Sequence, residues 1–112
     1  MIKNNFKAKH SASSDVFVSY IKKNDFNTIM SLFSRMLDLN HWKDYSFTSE
    51  KNTITFCFYK NSLENPIYKI IYEKKHNNHK QWVVFQQNTK VRTSESLEKI
   101  IKWMESRYLR EI

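Results

Sequence analysis

The stretch from Ile67 to Asn88, IYKIIYEKKHNNHKQWVVFQQN, constrains the fold more than any other part of this chain. Two runs rich in β-branched and aromatic residues, which favour strands, flank the pair Asn77-Asn78. Asparagine tolerates the positive φ angles that a two-residue hairpin turn requires. The stretch therefore predicts a β-hairpin with a cationic tip. The tip carries these basic side chains and no acidic one: Lys74, Lys75, His76, His79 and Lys80.

A turn made by Asn77 and Asn78 fixes the pairing of the hairpin, with Tyr72 opposite Val83 and Glu73 opposite Trp82. One face is then almost wholly apolar and is expected to pack against helices; it carries Tyr68, Ile70, Tyr72, Val83 and Phe85. The other face is mixed and carries Lys69, Ile71, Glu73, Trp82, Val84 and Gln86. A slip of one residue would exchange the faces of the slipped strand.

The segment before the hairpin predicts helix and then strand. Apolar residues at helical spacing run from Val16 to about Asn40, with a break or kink expected at Asn24-Asp25 and a cap at Ser13, Ser14 or Asp15. Beyond Asn24-Asp25 the apolar stripe is Phe26, Ile29, Met30, Phe33, Met36 and Leu37. The period then changes to two, which predicts strands over 43–48 and 53–60, with Ile54, Phe56 and Phe58 on the core face of the second.

The end of the chain predicts an amphipathic helix. Thr93 or Ser94 is expected to cap it, and its buried stripe is Leu97, Ile101, Met104 and Tyr108. The fold class is therefore α+β: an N-terminal helix or helix pair, a four-stranded antiparallel meander and a C-terminal amphipathic helix, with the helices packed on one sheet face. In such a meander the apolar strand from Trp82 to Phe85 lies at the edge, where it would be covered or would pair in a homodimer.

The chain divides by composition into a flexible basic N-terminal arm, residues 1–13, and a single domain, residues 14–112. No apolar run is long enough to span a membrane and no secretory signal precedes the domain, so we expect a cytoplasmic protein without a membrane partner. The single cysteine, Cys57, is expected to be a packed side chain.

The net charge of +8 is unevenly distributed. Residues 1–13 contribute +3 and residues 60–92 contribute +5, while the remaining segments balance. The abundance of lysine and asparagine is also what an AT-rich genome would encode, although that explanation accounts for the total and not for the segregation. A segregated positive charge favours a polyanionic partner.

Lysines interleaved with aromatic residues predict nucleic-acid binding, to DNA or RNA, because cations neutralise phosphates and aromatic rings stack on unpaired bases. The predicted binding residues are Lys69, Lys74, Lys75, His76, His79, Lys80, Trp82, Lys90 and Arg92. A secondary basic surface comprises Lys3, Lys7, Lys9, Lys99, Trp103, Arg107 and Arg110. The same residues would also suit a phage or mobile-element type of regulator that binds an acidic protein surface. A solvated hairpin with no ligand and a small toxin-like ribonuclease fit the pattern as well.

No catalytic, metal or cofactor motif is recognisable. His76 and His79 are two ligands at most, whereas metal sites usually need three or four. The absence of glycine excludes phosphate-cradling loops of the P-loop and dinucleotide-binding types. The sequence therefore predicts a binding protein without a cofactor rather than an enzyme.

Overall fold

The computed structural model describes residues 21–61, 64–74 and 79–109. They form two helices and five strands in an α+β arrangement, so the predicted fold class is confirmed at that level. The elements are α1 (Lys23–Asp38), β1 (Asp44–Glu50), β2 (Thr53–Tyr59), β3 (Tyr68–Lys74), β4 (Lys80–Gln86), β5 (Thr89–Ser94) and α2 (Leu97–Leu109). The predicted arm, residues 1–13, and the first helical stripe, residues 16–20, lie outside the described residues.

Helix α1 runs without interruption through Asn24-Asp25, so the predicted break at that pair is wrong. Both residues lie in the first turn of the helix, where polar side chains do not disrupt it. The carboxylate of Asp25 stabilises this turn by its interaction with the positive end of the helix dipole. The helix ends in a Schellman motif, in which Asn40 takes a positive φ of 64° and the amide of His41 donates to Met36 O at 2.9 Å. This motif turns the chain back toward the sheet.

Helix α2 begins after Ser96, whose Oγ accepts weakly from the amide of Lys99 at 3.4 Å. The cap is therefore Ser96 rather than the predicted Thr93 or Ser94, because those two residues belong to β5. The predicted stripe of Leu97, Ile101, Met104 and Tyr108 is buried, as is Ile100. An ion pair between Arg35 of α1 and Glu105 of α2 joins the two helices.

The sheet is an antiparallel meander in the order β1-β2-β3-β4-β5, and it contains five strands instead of the predicted four. The additional strand, β5, begins after Gln87-Asn88, whose φ angles of 49° and 71° are those of a type I′ turn. Strand β4 therefore lies between β3 and β5 and is not an edge. The homodimer predicted through an edge at Trp82 to Phe85 loses its basis, since both sides of that strand are already paired.

The register of the central hairpin differs by one residue from the predicted one. Lys74 pairs with Lys80 and Tyr72 pairs with Trp82. Five residues therefore connect the last paired residues of β3 and β4, an odd number that does not fit the two-residue turn predicted at Asn77-Asn78. Every side chain of β4 consequently changes face. Trp82 and Val84 face the helices, whereas Val83 and Phe85, which were predicted to face them, lie on the opposite face. Val83 is nevertheless buried, with 1% of its surface exposed, and Phe85 is partly exposed.

The core lies between the helices and one face of the sheet. Trp42, which follows the Schellman motif, is fully buried and stacks on Phe58 with ring centroids 4.4 Å apart. Its indole Nε1 donates to Tyr108 Oη at 2.7 Å, so its buried polar atom is paired. As predicted, Ile54, Phe56 and Phe58 of β2 point into this core. No helix among the described residues is long and apolar enough to cross a membrane.

Candidate nucleic-acid interface

The face of the sheet turned away from α1 and α2 is the candidate site, and we call it the open face. The core cluster takes its sheet residues from one side only, with Phe56, Ile70 and Val84 among them. Strand alternation therefore places their neighbours along each strand, such as Cys57, Ile71 and Phe85, on the opposite side. Neither described helix contributes to that side, on which Val83 is buried, Phe85 is partly exposed and Lys90 is exposed.

One row of paired positions across the open face combines cations with an aromatic ring. Phe85 of β4 lies opposite Lys69 of β3 on one side and opposite Lys90 of β5 on the other. Directly paired residues of antiparallel strands point to the same face with Cβ atoms about 5 Å apart. Phe85 is partly exposed and Lys90 is exposed. We call Lys69, Phe85 and Lys90 the cationic row.

The opposite end of the open face is acidic. Glu50 pairs with Thr53, which pairs in turn with Glu73, two residues along β3 beyond Ile71. The carboxylate of Glu73 accepts from Gln81 Nε2 of the neighbouring strand at 3.3 Å. The charge on the open face is therefore asymmetric. A polyanion is attracted to the cationic row and repelled from the end that carries Glu50 and Glu73.

Cys57 extends the cationic row onto β2, where it pairs with Lys69. Burial raises the pKa of its thiol above the ordinary value, while the positive charge of Lys69 acts in the opposite direction and lowers it. The net effect keeps the thiol protonated near neutral pH, which agrees with a packed side chain rather than a nucleophile.

The hairpin end, predicted to be the centre of the site, is divided between other surfaces. Lys74 and Lys80 lie directly opposite each other and are exposed, but on the helix side of the sheet. His79 Nε2 lies 2.9 Å from Glu95 Oε2, so its nearest charge is acidic. Lys75 and His76 lie outside the described residues, as do Lys3, Lys7, Lys9 and Arg110.

Trp82 does not belong to the open face. Its side chain is 3% exposed and packs on Tyr72 with ring centroids 4.5 Å apart. The sequence predicted an aromatic residue beside Lys69, and the structure places Phe85 there instead because of the register shift. Phe85 would have been identified only if the connection between β3 and β4 had been taken to be longer than two residues. The pair Asn77-Asn78 does not reveal that length.

The secondary basic surface is partly assembled on the helix side. The guanidinium carbon of Arg107 lies 4.9 Å from the ring centroid of Trp103, and that of Arg92 lies 5.7 Å from the same centroid. The two arginines therefore share one indole by cation–π contacts. Lys99 is exposed on the same helix. Arg92 thus lies with the secondary surface and not with the open face.

The part of the chain that the structure describes contains no group of three or more His, Cys, Asp or Glu side chains able to hold a metal ion. The partly exposed groups of the open face include an ammonium, hydroxyls, an aromatic ring, a thiol and the carboxylate of Glu73.

Comparisons with known proteins give a family without an assigned role. Residues 19–101 match the model of a family described as protein of unknown function, DUF2794. The match spans all five strands and therefore the whole cationic row, whereas Trp103 and Arg107 follow it. No curated protein and no solved structure matches the chain.

Proposed function

We propose that this chain, which belongs to the DUF2794 family, binds single-stranded nucleic acid, RNA or DNA, on the open face of its sheet. The observation that carries the proposal is the partly exposed ring of Phe85 between Lys69 and Lys90. An unpaired base stacks on such a ring, and the flanking ammonium groups neutralise the phosphates on either side.

A single strand suits this geometry better than a duplex. The bases of a duplex are stacked on one another and expose only their edges, whereas a ring that lies in a sheet face needs the flat side of a base. A lysine side chain carries a point charge and lacks the planar, bidentate donors of arginine. Lysines therefore favour contacts with the phosphate backbone of the nucleic acid over contacts with particular base edges. The expected binding is therefore sensitive to salt and tolerant of sequence.

Binding is tested by titrating the full chain with fluorescently labelled oligonucleotides at several salt concentrations. The affinity should fall steeply between about 50 and 200 mM salt. Phe85→Ala should weaken binding by about 1–3 kcal/mol, the usual contribution of one base–aromatic stack. Flat titrations of the unmodified protein with both RNA and DNA at low salt would refute the proposal.

Charge substitutions on the same face supply matched controls. The double variant Lys69→Gln and Lys90→Gln should weaken binding and reduce its dependence on salt. The same loss of two charges at exposed Lys23 and Lys102, which lie on the helices, should have a smaller effect. Glu50→Gln with Glu73→Gln should strengthen binding, because repulsion at the acidic end is removed.

The same samples distinguish a binder from a ribonuclease. A labelled strand that remains intact after long incubation supports binding alone, whereas shortened products would make the chain an enzyme. A stable complex with an acidic protein, recovered from cells after nuclease treatment and dependent on Lys69 and Lys90, would instead favour a regulator that docks on a protein surface.

A further inference from the structure

A small cavity on the helix side of the sheet has the composition of an anion site. It has a volume of about 170 Å³ and lies where the end of α2 passes over the start of β3. Its lining consists of His41, Lys60, Ile67, Tyr68, Gln86, Arg107 and Tyr108. Three of these side chains are basic and no carboxylate of a described residue lines the cavity.

Arg107 is held in place by neutral partners. Its Nε donates to Tyr68 Oη at 3.1 Å and its Nη2 donates to Gln86 Oε1 at 2.9 Å, while Trp103 covers one face of the guanidinium. Neither acceptor carries a charge, and no carboxylate among the described residues forms an ion pair with this arginine. A fixed guanidinium loses little side-chain freedom when an anion binds.

Other donors converge on the same cavity from separate elements. Tyr68 accepts from Arg107, and its own hydroxyl hydrogen has no acceptor among the described residues, so it is available to a ligand. The ring of His41 packs against Tyr108 with centroids 4.5 Å apart, and Lys60 is exposed at the rim. Donor groups of four side chains, Arg107, Tyr68, His41 and Lys60, line this one cavity, which suits a group with several oxygens better than a carboxylate with two.

A second cavity of about 680 Å³ adjoins the first, and Lys60 and Ile67 line both. The smaller cavity is below the about 300–1,000 Å³ that accommodates a whole small-molecule ligand, whereas the larger is within that range. Glu64 is the one described carboxylate that lines the larger cavity, and its Oε1 accepts from Asn61 Nδ2 at 2.8 Å. One ionic group in the small cavity and an uncharged body in the large one would fill both.

We propose that this pair of cavities binds a phosphate monoester, with the phosphate beside Arg107, Lys60 and Tyr68 and the esterified group in the larger cavity. The site is separate from the cationic row, which lies on the other face of the sheet. It stands whether or not the open face binds nucleic acid. A free nucleotide and the phosphorylated end of a strand both present this chemistry.

Calorimetric titration of the full chain with adenosine 5′-monophosphate, adenosine and inorganic phosphate tests the site. The monophosphate should bind at least tenfold more tightly than adenosine, and Arg107→Gln should remove that preference. Lys60→Gln changes an exposed side chain that the fold does not need, and it should weaken the monophosphate several-fold. Lys102→Gln, a matched loss of charge on α2, should leave it unchanged.

The source of the phosphate is distinguished with oligonucleotides that carry a 5′-phosphate or a 5′-hydroxyl. A preference for the 5′-phosphate strand over the 5′-hydroxyl strand assigns a strand end, and binding of adenosine 5′-monophosphate without that preference assigns a free nucleotide; either supports the site. Equal binding of adenosine 5′-monophosphate and adenosine, or undiminished binding of the monophosphate by Lys60→Gln and Arg107→Gln, would overturn it. Phe85→Ala should leave binding of the monophosphate unchanged. A failure of the proposed phosphate site can therefore be distinguished from a failure of the open face to bind nucleic acid.

Discussion

The two faces of this sheet use aromatic residues in opposite ways. On the helix side, Trp42, Phe58 and Tyr108 pack against one another, and even the indole nitrogen is satisfied internally. On the open face, Phe85 lies between two lysines and remains partly exposed. Rings that contact each other stabilise the fold, whereas a ring flanked by cations costs some of that stability and offers a surface for stacking.

The largest effect that separates the faces comes from two phenylalanines. Phe58→Ala should lower the free energy of unfolding by about 3–5 kcal/mol, because the side chain is fully buried and leaves a cavity. Phe85→Ala should cost about 1–2 kcal/mol, because its ring is partly exposed and loses less buried area. Urea unfolding of both variants checks this. Equal losses would mean that the open face is a second core.

The polar pairing inside the core predicts the next effect. Tyr108→Phe removes the acceptor of the Trp42 indole hydrogen and should cost about 1–3 kcal/mol, the penalty for a buried donor left unpaired. Tyr45→Phe is the control, since Tyr45 is partly buried against the same core and no described residue bonds to its hydroxyl. If the two variants unfold at the same urea concentration, the Trp42–Tyr108 hydrogen bond contributes nothing.

The hairpin end provides a charge test that the open face should not share. Lys80→Glu replaces a like-charged pair with an opposite pair across from Lys74 and should stabilise the fold by about 0.2–1 kcal/mol. It should weaken oligonucleotide binding less than Lys69→Glu, which makes the same change of charge within the cationic row. Thermal unfolding and fluorescence titration measure the two results. A greater loss of oligonucleotide binding from Lys80→Glu than from Lys69→Glu would indicate that the binding site lies at the hairpin.

The smallest expected effect concerns Cys57. Because burial raises the pKa of its thiol, less thiolate is present near neutral pH, and alkylation should begin at a higher pH than in the unfolded chain. The raised pKa also means that the thiol favours folding below its unfolded pKa and that this contribution is lost as the pH rises through the folded pKa. Lys69→Gln removes a charge that lowers this pKa and should slow alkylation further.

Cys57 also serves as a reporter for the open face. It is the single cysteine and pairs with Lys69 at the end of the cationic row, so a bound oligonucleotide should slow its alkylation at constant pH. Adenosine 5′-monophosphate, which we place on the helix side, should have no such effect. Protection by the monophosphate but not by the oligonucleotide would reverse the two assignments.

The fold class followed from local periodicity because helices and strands are repeated local patterns. The strand carrying Phe56 and the helix carrying Met104 show unambiguous spacing, and both are placed as expected. Strand β5 was missed because Val91 is its single apolar residue, and an edge strand gains its pairing from the backbone rather than from an apolar face. The actual two-residue turn, Gln87-Asn88, was hidden because glutamine rarely adopts positive φ.

The candidate site was less predictable because it depends on register. Lys69 and Lys90 were identified from charge alone, but their aromatic neighbour was taken to be Trp82, and only the pairing of Lys69 with Phe85 corrects it. The basic cavity brings together His41, Tyr68 and Arg107, which are far apart in sequence. Charge patterns along a chain do not contain that proximity, which arises when α2 folds over β3.

A single irregularity where β5 pairs with β4 separates the two cations of β5. The register shifts between Val84 and Phe85, so that Lys90 lies opposite Phe85 while Arg92 lies opposite Val84. In a regular strand, residues two apart share a face, and both cations would project the same way. The bulge sends one to each side of the sheet. A regular β5 of the same length, without the bulge, would place both cations on one side of the sheet, so the bulge, and not the composition of this strand, keeps the two surfaces separate.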